Sequence, residues 1–190
     1  MTVLEERPAE QAGETRTPVL ATARLVLRAP QRTDAPAIAL LANDRRIAEN
    51  TLRIPHPYSL ADAQAFIAGA DMIEDEIVFL VTLAGTVIGA CGLAQLDGRT
   101  PDIGYWLGAP FWGKGYASEV ARALVDYGFG DCGHTVLLAG ARVSNPASRR
   151  VLEKCGFRWT GVGLYRVRAL ASSVPVDRFR VERRDWELRK

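Results

Sequence analysis

The stretch from Asp102 to Gly156 restricts the fold more than any other part of this chain. It reads as a strand (Asp102-Ile103-Gly104-Tyr105-Trp106-Leu107), a glycine-rich turn, a helix from Gly115 to Phe129, an almost unbroken apolar run from Thr135 to Val143, and a second helix from Asn145 to Cys155. Two strands joined through a helix lie parallel, and such crossovers are nearly always right-handed. The first helix puts Val120, Ala121, Leu124 and Tyr127 on one face and Glu119, Arg122 and Asp126 on the other. The second is punctuated by Asn145 at its N-cap, Pro146 at the first helical position and Gly156 beyond its end. The run 135–143 has the pattern of a strand covered on both faces.

The segments before this unit make the sheet mixed. Leu25 and Leu27 alternate with charged or smaller neighbours in Thr22–Arg28, as in a strand. Thr33-Asp34 opens a helix running through Leu41, and Ser59-Leu60-Ala61-Asp62 opens another containing Ala63, Phe66, Ile67 and Ala70. A hairpin follows, from Ile77 to Leu83 and from Val87 to Leu96 around Ala84-Gly85-Thr86, and Asp97-Gly98 turns the chain again. After the second helix the chain returns to strand, with Phe179 and Val181 alternating against Arg178, Arg180 and Glu182. The class is therefore α/β, with residues 19–190 as one domain behind a tail, 1–18, whose charge and proline content predicts disorder.

Composition removes several functions. A formal charge of +2 is too small to favour nucleic acid or a membrane surface as the main partner. Cys91, Cys132 and Cys155 are widely spaced, and His56 and His134 stand far apart, so no metal site is expected. No apolar run approaches the roughly 20 residues of a membrane span. With its thiols read as free and no cationic, apolar leader seen, the chain is expected in the cytoplasm. The oligomeric state stays open, a homodimer included.

The turn between strand and helix, Gly108-Ala109-Pro110-Phe111-Trp112-Gly113-Lys114-Gly115-Tyr116-Ala117-Ser118, has the layout of a phosphate site. Glycine lets the backbone approach, and the unpaired amides of a first helical turn point at the anion. The bland alternative is a tight turn whose glycines supply positive φ. Gly108-x-x-x-x-Gly113-Lys114 matches most of a P-loop, but Gly115 stands where the magnesium-binding hydroxyl belongs. A dinucleotide fingerprint half-fits at Gly113 and Gly115, yet Ser118 holds the third glycine position and the loop follows an antiparallel hairpin. Trp112-Gly113-Lys114-Gly115-Tyr116-Ala117 resembles instead the coenzyme A loop, Q/R-x-x-G-x-G/A, of the GCN5-related N-acetyltransferase (GNAT) family, matched at Gly115 and Ala117. Trp112 departs from the usual Gln/Arg, and tryptophan there resembles the ribosomal-protein (RimJ/RimL-like) branch. Thr22–Arg28, Asp102–Leu107 and Asn145–Phe157 are similar to further segments of that branch, in its order, over about residues 20 to 188.

The resemblance implies a GNAT fold with a mostly antiparallel sheet of about seven strands, two splayed parallel strands at its centre and flanking helices. It also implies acetyl transfer from acetyl-CoA to a primary amine, a protein N-terminus foremost, by direct attack on the thioester; the alternatives are a small-molecule amine as acceptor, or a non-catalytic acyl-CoA-binding module. Backbone groups of Tyr105, Trp106 and Leu107 would pair with the pantetheine arm, one amide facing the oxyanion. Trp112, Gly113, Lys114, Gly115, Tyr116, Ala117 and Ser118 would hold the pyrophosphate, and Asn145 would lie beside the arm while capping its helix. Ser148 would protonate the thiolate, with Tyr165 as the alternative. Asp102 would serve as base, directly or through water, and turn capping after Asp97-Gly98 explains it equally well. A cysteine nucleophile is disfavoured, because Cys155 falls at a helix C-terminus and Cys91 in an apolar strand. The acceptor pocket is expected from residues 43–58 and 165–178, where Arg45, Arg46, Arg53, Arg166 and Arg168 would suit acidic acceptors better than polyamines, or merely be solvated surface.

Overall fold

In the computed structural model, the structure describes residues 17–70, 76–95 and 100–188. The expected tail 1–18 therefore lies almost wholly outside the described residues, as does the Asp97-Gly98 turn. Strands β1 (Leu20–Ala21) and β2 (Leu25–Arg28) lead into helices α1 (Ala35–Ala42), α2 (Arg45–Ala48) and α3 (Leu60–Gly69). The hairpin β3 (Glu76–Leu83) and β4 (Thr86–Ala94) precedes β5 (Asp102–Leu107), α4 (Tyr116–Gly130), β6 (Val136–Arg142) and α5 (Pro146–Lys154). A second hairpin, β7 (Arg158–Val167) and β8 (Ser172–Glu182), ends in α6 (Arg183–Glu187).

Eight strands form one sheet in the order β1-β2-β3-β4-β5-β6-β8-β7. Every neighbouring pair is antiparallel except β5 and β6. The strand beyond the expected seven is the two-residue β1. Local chemistry explains the boundaries. Ser59 accepts from the Asp62 amide while Asp62 accepts from the Ser59 amide, so two orphan donors of α3 satisfy each other's residue. Ala84 and Gly85 both take positive φ, 47° and 81°, the handedness that matches a two-residue hairpin to strand twist.

Two apolar clusters sandwich the sheet. Ile38, Ala63, Leu80, Val87 and Ala90 join α1 and α3 to β3 and β4, with Trp106 packed against them. Val120, Leu124, Leu137, Leu152 and Phe179 join α4 and α5 to the opposite face. Full burial of each large side chain contributes about 1.5–3 kcal/mol. No residue of β6, β7 or β8 belongs to the first cluster. This corrects the expectation of a β6 covered on both faces: Leu137, Ala139 and Ala141 are buried, but Gly140 is exposed. Residues 165–178, expected in the acceptor pocket, form the turn of the β7–β8 hairpin and the adjoining parts of both strands; Gly161 and Gly163 interrupt the apolar alternation that would have announced it.

Candidate active site

The two parallel strands part almost as soon as they meet. β5 pairs with β6 only at Asp102↔Leu138 and Ile103↔Ala139. Beyond that point Gly104–Leu107 keep their register with β4, and Gly140–Arg142 keep theirs with β8. Between them, two strand edges carry main-chain donors and acceptors without a ladder partner across the gap. Backbone groups in such a place need a partner from solvent or ligand. A slender chain with its own amides could enter as an added strand.

Past the open edge lies the glycine turn. Gly108 donates to the Ile88 carbonyl at 2.8 Å, and a Cβ there would fall 2.6 Å from Leu41 Cδ2, so a larger residue would have to push the Leu41 side chain aside. The Trp112 indole donates to the Leu107 carbonyl at 2.6 Å, folding the turn back on the end of β5, and the Arg46 guanidinium lies 5.1 Å from its ring centroid. Gly113 and Gly115 hold φ of +74° and +82°, which L side chains rarely adopt. Gly115 is the N-cap of α4 and supplies no side-chain acceptor to the first turn.

Arg24, immediately before β2, braces this turn. It donates from Nη1 to the Lys114 carbonyl at 3.0 Å, from Nε to Glu119 at 2.7 Å, and lies 4.5 Å from the Tyr116 ring centroid. Carbonyl and amide point oppositely in a trans peptide. Holding the Lys114 carbonyl on Arg24 therefore aims the Gly115 amide away from β2. Thr22 adds a 2.6 Å bond to Glu119. Burial pushes the Glu119 carboxyl up, but the hydrogen bonds from Thr22 and Arg24 and the Arg24 charge outweigh it and hold it below its ordinary value. Sequence reasoning missed this brace. Its members lie about a hundred positions apart and share no local period; only a charged residue in the first helical turn was visible.

On the face packed by α4 and α5, three expected site residues meet. The Asn145 side chain accepts from the Ser148 amide at 3.1 Å, capping α5. The Ser148 hydroxyl lies 2.9 Å from the Tyr105 hydroxyl, either atom being able to donate. Burial drives the Tyr105 phenol far above its ordinary range, against a lowering by the Ser148 bond, so it stays protonated at neutral pH. Tyr165 is elsewhere, its ring centroid 5.1 Å from the Arg178 guanidinium.

On the opposite face Asp102 is buried and takes both its oxygens to Arg178 Nη2, each at 3.0 Å. Arg142 donates to the Glu49 carbonyl at 2.7 Å. Of the arginines expected near the acceptor, Arg45 pairs with Glu49, Arg46 with Asp44 and Arg53 with Glu76, which removes much of their cationic bias. Cys91 is fully buried and burial pushes its thiol up; Cys155 sits against the Ser118 carbonyl at 3.6 Å. Among the described residues, no cluster of His, Cys, Asp and Glu could hold a metal, and no helix is long and apolar enough to cross a membrane.

Comparison with known proteins follows the same outline. A model of the acetyltransferase (GNAT) domain matches residues 24–158. The chain is 30% identical to the N-acetyltransferase p20 of Bacillus licheniformis over 154 residues, 75% of this chain and 84% of that one. Identity to YkkB of Bacillus subtilis reaches 39%, but over 40% of this chain and 46% of that protein. Among solved structures, RimL, a ribosomal L7/L12 α-N-protein acetyltransferase in complex with coenzyme A, superposes with a TM-score of 0.76 at 18% identity, covering 87% of this chain and 98% of that one. The spermidine N-acetyltransferase of Vibrio cholerae, in complex with coenzyme A and spermine, gives 0.73 at 23% identity, covering 87% and 99%. Open central strands, a braced glycine turn and a family match over most of the chain lead to one assignment: this protein belongs to the GNAT family of N-acetyltransferases.

Proposed function

We propose that the protein transfers acetyl from acetyl-CoA to the α-amine of a protein N-terminus by direct attack on the thioester. The observation that carries this reading is the parting of β5 and β6 beside a glycine turn whose helix has no side-chain cap. The residues fit the carrier: unladdered backbone at Tyr105, Trp106 and Leu107 suits the pantetheine arm, and the amides of Gly113, Gly115, Tyr116 and Ala117 suit its diphosphate. Lys114 and Ser118 add side-chain donors, Trp112 holds the turn closed, and Asn145 borders the arm while keeping α5 capped. When bound, acetyl-CoA supplies an acyl group already activated for attack by an amine.

The protein's own groups do the rest. An amide of Tyr105–Leu107 donates to the acyl oxygen as negative charge develops, and loss of such a donor typically costs about 3 kcal/mol. Ser148 passes its proton to the departing sulfur, with the protonated Tyr105 phenol at 2.9 Å behind it to hold the hydroxyl in place. Asp102 accepts the amine proton through water. That demand is modest, because an α-amine with a pKa near 8 is partly neutral at pH 7. Buried Cys91 offers no accessible thiolate for a covalent route.

The test is thiol release from acetyl-CoA with peptides bearing free N-terminal Ser or Ala, against polyamines and aminoglycosides. Turnover with the peptides supports the reading. Turnover restricted to polyamines or aminoglycosides would replace it with small-molecule acetylation.

A further inference from the structure

The vertex where β5 and β6 part holds a charge pair that the mechanism uses only in half. Gly140 is the first β6 residue beyond the last rung shared with β5, and it is level with Gly104; both are exposed. Arg178 sits beside Gly140 on β8 and reaches across β6 to Asp102 on β5. A Cβ at Gly140 would come within 3.2 Å of Arg178 Nη1, so glycine there leaves that end of the guanidinium uncovered from the cleft. Nη2 is committed to Asp102, while the Tyr165 ring flanks the guanidinium at 5.1 Å and fixes its plane. Gly163 makes the last contact feasible, since a Cβ at that position would fall 2.7 Å from the Tyr165 ring. The guanidinium is thus positioned by three strands, with the side chain only 19% exposed and, among the described residues, only Nη2 taken by a hydrogen bond.

We infer that Arg178, with Asp102, selects acceptors in which the reacting amine stands next to a carbonyl or carboxylate oxygen. This rests on the acetyl-transfer reading above and names the acceptor's chemistry. A carboxylate beside a guanidinium is the complement of an ammonium beside a carbonyl oxygen, the signature of an α-aminoacyl unit. The vertex lies one residue along β5 from Tyr105, about 3.3 Å of strand, and the amine and carbonyl carbon of an aminoacyl group are two bonds apart. One acceptor therefore spans both. Arg142 adds a second guanidinium on this face, held by the Glu49 carbonyl. A polyamine brings only positive charge to such a floor and is repelled.

The test uses the full-length enzyme and kcat/KM for alaninamide, an Ala-led peptide, free alanine, isopropylamine and spermidine. Isopropylamine is alaninamide without its carbonyl. The wild type is expected to prefer alaninamide by about ten- to hundredfold, the worth of a hydrogen bond to a charged group. Preference for alaninamide and peptide over alanine identifies a peptide N-terminus, and the reverse identifies a free amino acid; either supports the inference. Arg178→Lys, which keeps the charge but loses the planar fork, should bring the ratio toward one with KM for acetyl-CoA unchanged. Each kcat/KM is referred to the concentration of neutral amine, because an α-amine with a pKa near 8 and an alkyl amine with a pKa near 10.4 differ widely in that fraction at pH 7; so corrected, the wild-type comparison stands even if a variant folds poorly. Equal use of isopropylamine, a preference for spermidine, or an unaltered ratio in R178K overturns the inference while acetyl transfer survives. Absence of thiol release with every amine overturns both.

Discussion

The N-termini of α4 and α5 flank the same gap but are finished differently. At α5 the Asn145 side chain takes the Ser148 amide and Pro146 removes a donor altogether, so the end is closed by the chain itself. At α4 the cap is a left-handed glycine, the preceding turn holds a second, and no side chain accepts from the first turn. Capping is worth roughly 0.5–2 kcal/mol, and α4, a 15-residue helix, forgoes it. The difference teaches where stability has been left unclaimed: the closed end presents a hydroxyl, and the open end presents amides.

The largest effect should come from the closed end. Ser148→Ala removes the hydroxyl and keeps the capped amide, so kcat should drop about hundredfold while KM for acetyl-CoA stays within about twofold. Full retention of kcat would reduce α5 to a structural element. At the open end, Gly115→Val forces a branched side chain to φ +82°, a strain of about 1–3 kcal/mol, and calorimetry should find coenzyme A bound about tenfold more weakly. Unchanged affinity would mean the amides of α4 are not used.

Smaller effects sharpen the contrast. Arg24→Gln should raise KM for acetyl-CoA about fivefold but leave acetyl-pantetheine, which lacks the diphosphate, unaffected; equal losses with both carriers would assign Arg24 to general stability. Asn145→Ala should cost about 1 kcal/mol in urea unfolding, the ordinary value of a lost cap, and a null result would show that Pro146 alone closes α5. The least effect concerns pH. Glu119 titrates below its ordinary 4.5 in the folded protein, so its contribution is complete above that pH and disappears as pH falls through the folded value. The stability gap between wild type and Glu119→Gln should accordingly narrow as pH falls below 4.5; a constant gap would remove Glu119 from the acid response.

The sequence disclosed features that depend on neighbours along the chain. The β3–β4 hairpin, α4, the Asn145 cap and the glycine turn each carry a local period or punctuation mark, and the structure places them within a residue or two of expectation. Tyr105 and Ser148 were identifiable one at a time, but their 2.9 Å contact joins positions 43 apart and leaves no mark in the text of either segment. α2 was too short for a hydrophobic repeat to register. The ion pairs that occupy Arg45, Arg46 and Arg53 were likewise unreadable, because charge composition says nothing about which carboxylate faces which guanidinium.

The strut from Arg24 to Lys114 and Glu119 has a practical consequence for dissecting the protein. A fragment starting at residue 30 would retain every glycine of the bend before α4 and the whole helix behind it, yet lack the beam that orients the bend. On the proposed reading, competence for the carrier is a property of the assembled sheet, acquired only when its first strands have docked, and no excised motif should reproduce it.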